Sequence, residues 1–115
     1  MQKLFVSQPM KGKTDEEIKL ERKRVIELAK RHFGDDLEVI DSFFEGQNDN
    51  PLVCLGESLK RMAEADIVWF AFGWEKTRGC MMEREAVEKY LTKTTIVEER
   101  QGGYAVIGPH LEWGE

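Results

Sequence analysis

Short apolar runs alternate along this chain with longer segments in which apolar residues recur at helical spacing. Four of the apolar runs predict strands, at residues 3–7, 37–40, 66–72 and 94–97. The third run, "DIVWFAF", is apolar at nearly every position, which is typical of a strand buried on both faces of a sheet. A fifth run, "YAVIG" at residues 104–108, is compatible with one more strand.

Three amphipathic segments between these runs predict helices. The first follows Thr14, a candidate N-cap whose capping box is completed by Glu17, and we expect it to end at Gly34. The second begins near Pro51, a residue suited to the first turn of a helix, and the third runs through Leu91. The apolar stripes expected to face the sheet are Ile18, Val25, Ile26, Leu28, Ala29 and Phe33, then Leu52, Leu55, Leu59 and Met62, then Ala86, Val87 and Tyr90.

The alternation of strands and helices predicts an α/β fold, a parallel sheet of four to five strands with helices on both faces. The 115 residues have the usual size of one domain, so we assign 1–115 to a single domain in which 98–115 form a tail of uncertain structure. Ligands of such sheets bind beyond the carboxyl ends of the strands. Three loops should meet there, at residues 7–12, 41–44 and 73–79.

Composition narrows the possible functions. The 17 basic and 22 acidic residues give a formal net charge of -5, which disfavours a nucleic-acid-binding surface but leaves room for a local small-anion site. Cys54 and Cys80 show neither metal-ligand spacing nor a disulfide framework, so we expect reduced thiols in a cytoplasmic protein. No apolar run approaches the roughly 20 residues of a membrane span, and no signal-peptide pattern is seen.

The familiar signatures of nucleotide enzymes do not occur in the chain. The sequence has no Walker A motif and no G-x-G-x-x-G pattern, which argues against a standard nucleoside triphosphatase or a dinucleotide-dependent oxidoreductase. His32 and His110 have no evident catalytic partner. We therefore expect no cofactor, no metal and no histidine-based catalysis.

Glu83 stands out because its spacing from Ala86 and Val87 places it on the helix face that should be buried. Burial of a carboxylate is costly unless something uses it. Near the start of a helix, where the dipole stabilises an anion, this carboxylate could attack a carbon electrophile and form a covalent intermediate. Spacing alone favours an ordinary first-turn glutamate that interacts with the helix dipole.

The loop before Glu83 carries groups suited to the polar end of a ligand. Gly79 lets backbone N–H groups approach a ligand, Thr77 offers a hydroxyl, and Arg78 offers a planar cation for a phosphate or carboxylate. The alternative is a plain strand-to-helix turn with a solvated arginine. Trp74 could stack on a nucleobase, or it could be a core or interface tryptophan.

The other two loops supply weaker candidates for binding. Ser7, Gln8, Pro9 and Met10 follow the first strand, where they could contact a ligand. Asp41 follows the second strand together with Ser42, and capping or turn formation is the alternative to binding there.

Two stretches, "FVSQPMKG" and "SLKRMAEADIVWFAFGWEKTRGCMMEREA", resemble the nucleoside 2-deoxyribosyltransferase superfamily over about residues 3–97. The nearest likeness is to a branch of small bacterial and phage proteins related to the transferases and to deoxynucleoside monophosphate N-glycosidases. The resemblance implies a flavodoxin-like, Rossmann-like sheet, a homo-oligomer, and transfer or hydrolysis of the N-glycosidic bond of a deoxynucleoside or its monophosphate. Glu83 matches the family's nucleophile, which bonds to the anomeric carbon as in retaining glycosidases. Thr77 falls where the hydrolases contact phosphate through a serine.

Two positions depart from the family pattern. The characterised enzymes carry an aspartate that serves base protonation, and this chain has Ser58 there, with Glu57 beside it. A serine cannot act as a general acid near neutral pH. Either Glu57 turns by about 100° around its helix, or another group serves, or the chain is a non-catalytic nucleotide-binding or sensor module. Gln8 stands where the family favours glycine, and we expect it to narrow the pocket and add an amide.

Overall fold

The computed structural model describes residues 1–41 and 50–108, which form a five-stranded sheet flanked by helices. The strands are β1 (Lys3–Ser7), β2 (Glu38–Val39), β3 (Ile67–Phe70), β4 (Thr95–Arg100) and β5 (Gly103–Ile107). They lie in the order β2-β1-β3-β4-β5. β1 pairs in parallel with both β2 and β3, and β3 pairs in parallel with β4. The predicted α/β fold, with its flavodoxin-like or Rossmann-like arrangement, is confirmed.

The helix starts predicted at Thr14 and Pro51 and the helix end predicted at Gly34 are present, and the described residues form three α-helices. They are α1 (Asp15–Phe33), α2 (Pro51–Met62) and α3 (Arg78–Tyr90), with a 3-10 turn at Trp74–Lys76. The N–H of Glu17 donates to Thr14 Oγ1 at 3.1 Å, and the Glu17 carboxylate accepts from the N–H of Thr14 at 2.8 Å, so the capping box is present. Gly34 ends α1 with a φ of 113°, a value that favours glycine. Within the described ranges, no helix has the length and apolar character needed to cross a membrane.

Helices cover both faces of the sheet. On one face, α1 contributes Val25 and Ala29 to a cluster that includes Leu4 of β1. On the other face, Met62 of α2 and Val87 of α3 pack against alternate residues of the same strands. Every side chain of β3 is fully buried, which agrees with its continuous apolar run.

The chain after residue 94 differs from the prediction. β4 begins at Thr95 and continues to Arg100, past the predicted end at Val97, and β5 returns antiparallel to it. Two residues separate these strands, and so short a connection permits an antiparallel hairpin but not the crossover that a parallel strand requires. Residues 98–107 therefore belong to the sheet. Residues 109–115, which include His110, lie outside the described residues.

Two residues predicted to lie in the core are exposed. Tyr90 is 83% exposed, because the buried stripe of α3 passes through Glu83 and Val87 to Leu91, four residues after Val87. Leu52 is 72% exposed in the first turn of α2. The apolar stripes of α2 and α3 thus face the sheet over only part of their predicted length.

Candidate active site

A pocket of about 260 Å³ lies at the carboxyl edge of the sheet, between the end of β1, one face of α2 and the start of α3. Because β1 and β3 are parallel neighbours, the loops that follow these two strands lie side by side at this edge. Residues 42–44 of the second loop lie outside the described residues. The predicted site residues that line the pocket are Ser7, Gln8, Met10, Ser58, Thr77, Gly79 and Glu83.

Glu83 is the acidic group of this pocket. It is the sixth residue of α3 and is only 7% exposed. Its Oε1 accepts a hydrogen bond of 2.5 Å from Ser7 Oγ at the end of β1. The inward orientation expected from the spacing of α3 is therefore present, and a bond between two distant parts of the chain holds the carboxyl group.

Burial raises the pKa of Glu83 to about 7 from an ordinary value of 4.5. The hydroxyls of Ser7 and Ser58 act in the opposite direction, because hydrogen bonds to a carboxylate favour its ionised form. The lost hydration is the largest of these effects. Near neutral pH, both the neutral and the ionised form of Glu83 are populated.

Cys80 lies in the same wall, three residues before Glu83, and is 3% exposed. Burial raises the pKa of its thiol to about 12, although a hydrogen bond with Ser7 acts in the opposite direction. The thiolate is the nucleophilic form of cysteine, and burial of Cys80 disfavours it.

The α2 side of the pocket has no second carboxyl group among the described residues that line it. Ser58 lines the pocket, whereas Glu57 pairs with Lys60 at 3.5 Å and with Arg61 at 3.8 Å on the outer side of the helix. Glu57 would have to leave both cations to approach the pocket. The rotation considered above for Glu57 therefore has no support in the structure.

Gln8 connects the pocket wall to α1. Its Nε2 donates to the carbonyl oxygen of Ile18 at 3.1 Å and to Glu21 Oε1 at 3.0 Å. The donor side of the amide is therefore held by α1. Gln8 still lines the pocket, and its Oε1 is buried without a hydrogen-bond partner among the described residues. Pro9 is not among the residues that line the pocket.

Three other predicted binding residues also lie elsewhere. Trp74 packs against Phe70 with ring centroids 5.5 Å apart, in the core cluster on the α2 and α3 side of the sheet. This position favours the core interpretation of Trp74 over base stacking. Arg78 is exposed and lines a neighbouring cavity, and Asp41 pairs with Arg61 at 3.6 Å.

Sequence reasoning named Ser58 but missed the other α2 residues that line the pocket. Pro51, Cys54 and Leu55 line the pocket together with Ser58. Cys54 and Leu55 lie three and four residues after Pro51, and Ser58 lies seven residues after it, so the four share one face of a helix. That spacing was readable in the sequence, but nothing in it indicated that this end of α2 faces a cavity and not the sheet. Among the described residues, no group of three or more His, Cys, Asp or Glu side chains could hold a metal ion.

Comparisons with protein-family models, with curated proteins and with solved structures gave no match to this chain.

Proposed function

We propose that this chain cleaves or transfers the N-glycosidic bond of a deoxynucleoside or a deoxynucleoside monophosphate, with Glu83 as the nucleophile. The observation that carries the proposal is the Glu83 carboxyl group, which is buried in a concave pocket and fixed by Ser7. Burial of a carboxyl group is costly for folding, and this one lies where parallel sheets bind their ligands. The resemblance to the deoxyribosyltransferases supplies the reaction class.

The proposed reaction has two displacements at C1′ of the sugar. First, a Glu83 carboxylate oxygen bonds to C1′ while the C1′–N bond breaks, and the base leaves with the bonding electron pair. Then water or a second base attacks C1′, the bond to Glu83 breaks, and the proton of the attacking group passes to solvent. Transfer and hydrolysis differ only in this attacking group. The hydrogen bond from Ser7 limits rotation of the carboxyl group and so supports the first displacement.

The leaving base takes its proton from solvent in this proposal. Ser58 cannot act as a general acid near neutral pH, and Glu57 is paired on the outer side of α2. General acid catalysis typically contributes roughly 10²–10⁴-fold. We therefore expect slow turnover, with rates that fall steeply as the leaving base becomes more basic.

Thr77 and the backbone around Gly79 would bind the 5′ end of the ligand, since both line the pocket beside the start of α3.

We also propose a homo-oligomer in the cytoplasm. Large apolar side chains on α2 and α3 are at least half exposed, a pattern suited to a subunit interface, and they are Leu52, Val53, Met81 and Met82. Size-exclusion chromatography with light scattering tests this part, and a monomer at all concentrations would contradict it.

Release of free base tests the reaction. The wild-type chain is incubated with a panel of deoxynucleosides and deoxynucleoside monophosphates, and free base is measured by chromatography. Glu83→Gln should abolish release, while Glu85→Gln, an exposed glutamate of the same helix, should not alter it. Intact-protein mass spectrometry should detect the glycosyl adduct on the wild type and on Glu85→Gln but not on Glu83→Gln. Release that survives in Glu83→Gln would refute the covalent mechanism.

A non-catalytic nucleotide-binding module is the second candidate. The specific observation that favours it is the pocket's lack of a second carboxyl group among the described residues, with Ser58 in the general acid's place. This candidate predicts saturable binding of a deoxynucleotide without release of base. Detection of base release by wild type but not by Glu83→Gln would exclude it.

A further inference from the structure

A second cavity, of about 390 Å³, adjoins the Glu83 pocket. Its walls come from the loop after β1 and the loop after β3, which lie side by side because the two strands are hydrogen-bonded neighbours. The loops approach closely at Gly73, where an added Cβ would lie 3.6 Å from Pro9 Cγ. The cationic side chains that line this cavity are Lys11, Lys13, Lys76 and Arg78.

The charge of this cavity contrasts with the net charge of -5 of the whole chain. No acidic side chain is among the described residues that line it. Lys13 pairs with Glu21 at 3.2 Å. By contrast, Lys11, Lys76 and Arg78 form no ion pair with any residue in the described ranges. Cations gathered in one concavity repel one another, and they create a positive potential that attracts an anion.

The two cavities share part of their walls. Lys11 and Thr77 line both of them, so one ligand can extend from the carboxyl group of Glu83 past Thr77 into the basic cavity. A sugar placed at Glu83 would direct its 5′ substituent along this route. The basic cavity is therefore positioned for an anionic group that continues beyond the first phosphate.

We infer that the basic cavity binds the terminal phosphates of a deoxynucleoside di- or triphosphate whose sugar lies against Glu83. The inference rests on the proposed function for the position of the sugar, and it extends the substrate class beyond monophosphates. A monophosphate carries about 1.5 to 2 negative charges at neutral pH. Three unpaired cations, with Lys13 beside them, match the larger charge of a diphosphate or triphosphate better.

Inorganic phosphate, pyrophosphate and tripolyphosphate test the cavity without any reaction at Glu83. Isothermal titration calorimetry of the full-length chain at constant ionic strength should show tripolyphosphate binding at least about tenfold more tightly than phosphate. Lys76→Gln should reduce this ratio to about threefold or less. Lys89→Gln, an exposed lysine at the far end of α3, serves as the matched control and should preserve the ratio. Circular dichroism verifies that both variants are folded.

The same titration with a deoxynucleoside mono-, di- and triphosphate, using Glu83→Gln to prevent turnover, should show the same order of affinity. Equal affinities for the three nucleotides, or an equal loss in Lys76→Gln and Lys89→Gln, would overturn the inference. Base release from a monophosphate without any polyphosphate preference would sink this inference and leave the proposed function intact. A polyphosphate preference without base release would contradict the proposed function and leave this inference intact.

Discussion

Replacing Glu83 by glutamine should stabilise the protein above neutral pH, and the stabilisation should shrink in mild acid. Burial raises the pKa of Glu83 to about 7, above its ordinary value of 4.5. The folded chain therefore binds more protons than the unfolded chain between these two values. The contribution of this group to the free energy of unfolding falls as the pH rises through this window and levels off above about pH 7.

The size of the effect follows from the two pKa values. The two pKa values differ by about 2.5, which corresponds to about 3 kcal/mol at 1.36 kcal/mol per pKa unit. This is the free-energy cost of burying the ionised Glu83 carboxylate at high pH. At pH 5 the same linkage gives a cost of only about 1 kcal/mol. Glutamine stays neutral and its carbonyl can still accept from Ser7. The difference in free energy of unfolding between Glu83→Gln and wild type should therefore grow by about 2 kcal/mol, in favour of the variant, between pH 5 and pH 8.

Urea denaturation of both proteins at pH 5 and pH 8 measures this difference directly. Glu85→Gln on the exposed side of α3 is the matched control, and its difference from wild type should not depend on pH in this way. If the free energies of unfolding of Glu83→Gln and wild type differ by the same amount at both pH values, the carboxyl group is not desolvated as described. The same result would remove the physical basis for a buried nucleophile.

Three further outcomes are expected. In Ser7→Ala, the loss of a hydrogen bond that favours the carboxylate should raise the pKa of Glu83, so the pH profile of kcat/KM for base release should shift to higher pH. Glu99→Ala should lower the free energy of unfolding in urea by about 3 kcal/mol, because the buried Glu99 carboxylate accepts two bonds from Arg24 and one from a backbone N–H. Glu99→Gln should lower the free energy of unfolding by less than Glu99→Ala does. Thr14→Ala should cost about 1 kcal/mol in the same assay through loss of the α1 cap, and no change would contradict the capping box.

The fold was predictable because its local signals agree with one another. The capping box at Thr14, the glycine at residue 34 and Pro51 each marked a helix end that the structure contains. β3 was recognisable since burial on both faces leaves an uninterrupted apolar run. β5 was harder to predict, because it alternates exposed and half-buried side chains at the sheet edge and its direction depends on a short connection.

The site was predictable where helical or strand periodicity fixes orientation. The inward position of Glu83 follows from its separation of four residues from Val87, which lies in the core. Periodicity does not determine where a residue lies in a short turn or at the first position of a helix. Trp74 is in the 3-10 turn after β3, and Arg78 begins α3. Trp74 packs against Phe70, and Arg78 joins lysines contributed by another loop. Which loops meet depends on the strand order, so the basic cavity could not be identified before β1 and β3 were known to be neighbours.

Glu83 and the basic cavity have the same physical character, since each costs folding free energy that a ligand could recover. Burial makes ionisation of Glu83 unfavourable, and the cations around the second cavity repel one another. Neither feature stabilises the described fold by itself, whereas the ion pair of Glu99 with Arg24 in the same structure satisfies a buried carboxylate fully. Two such unfavourable features lie in adjoining cavities at the one edge of the sheet where a ligand is expected. A ligand that combines a sugar carbon with a polyphosphate would satisfy both at once, which is why the two proposals are best tested on the same molecules.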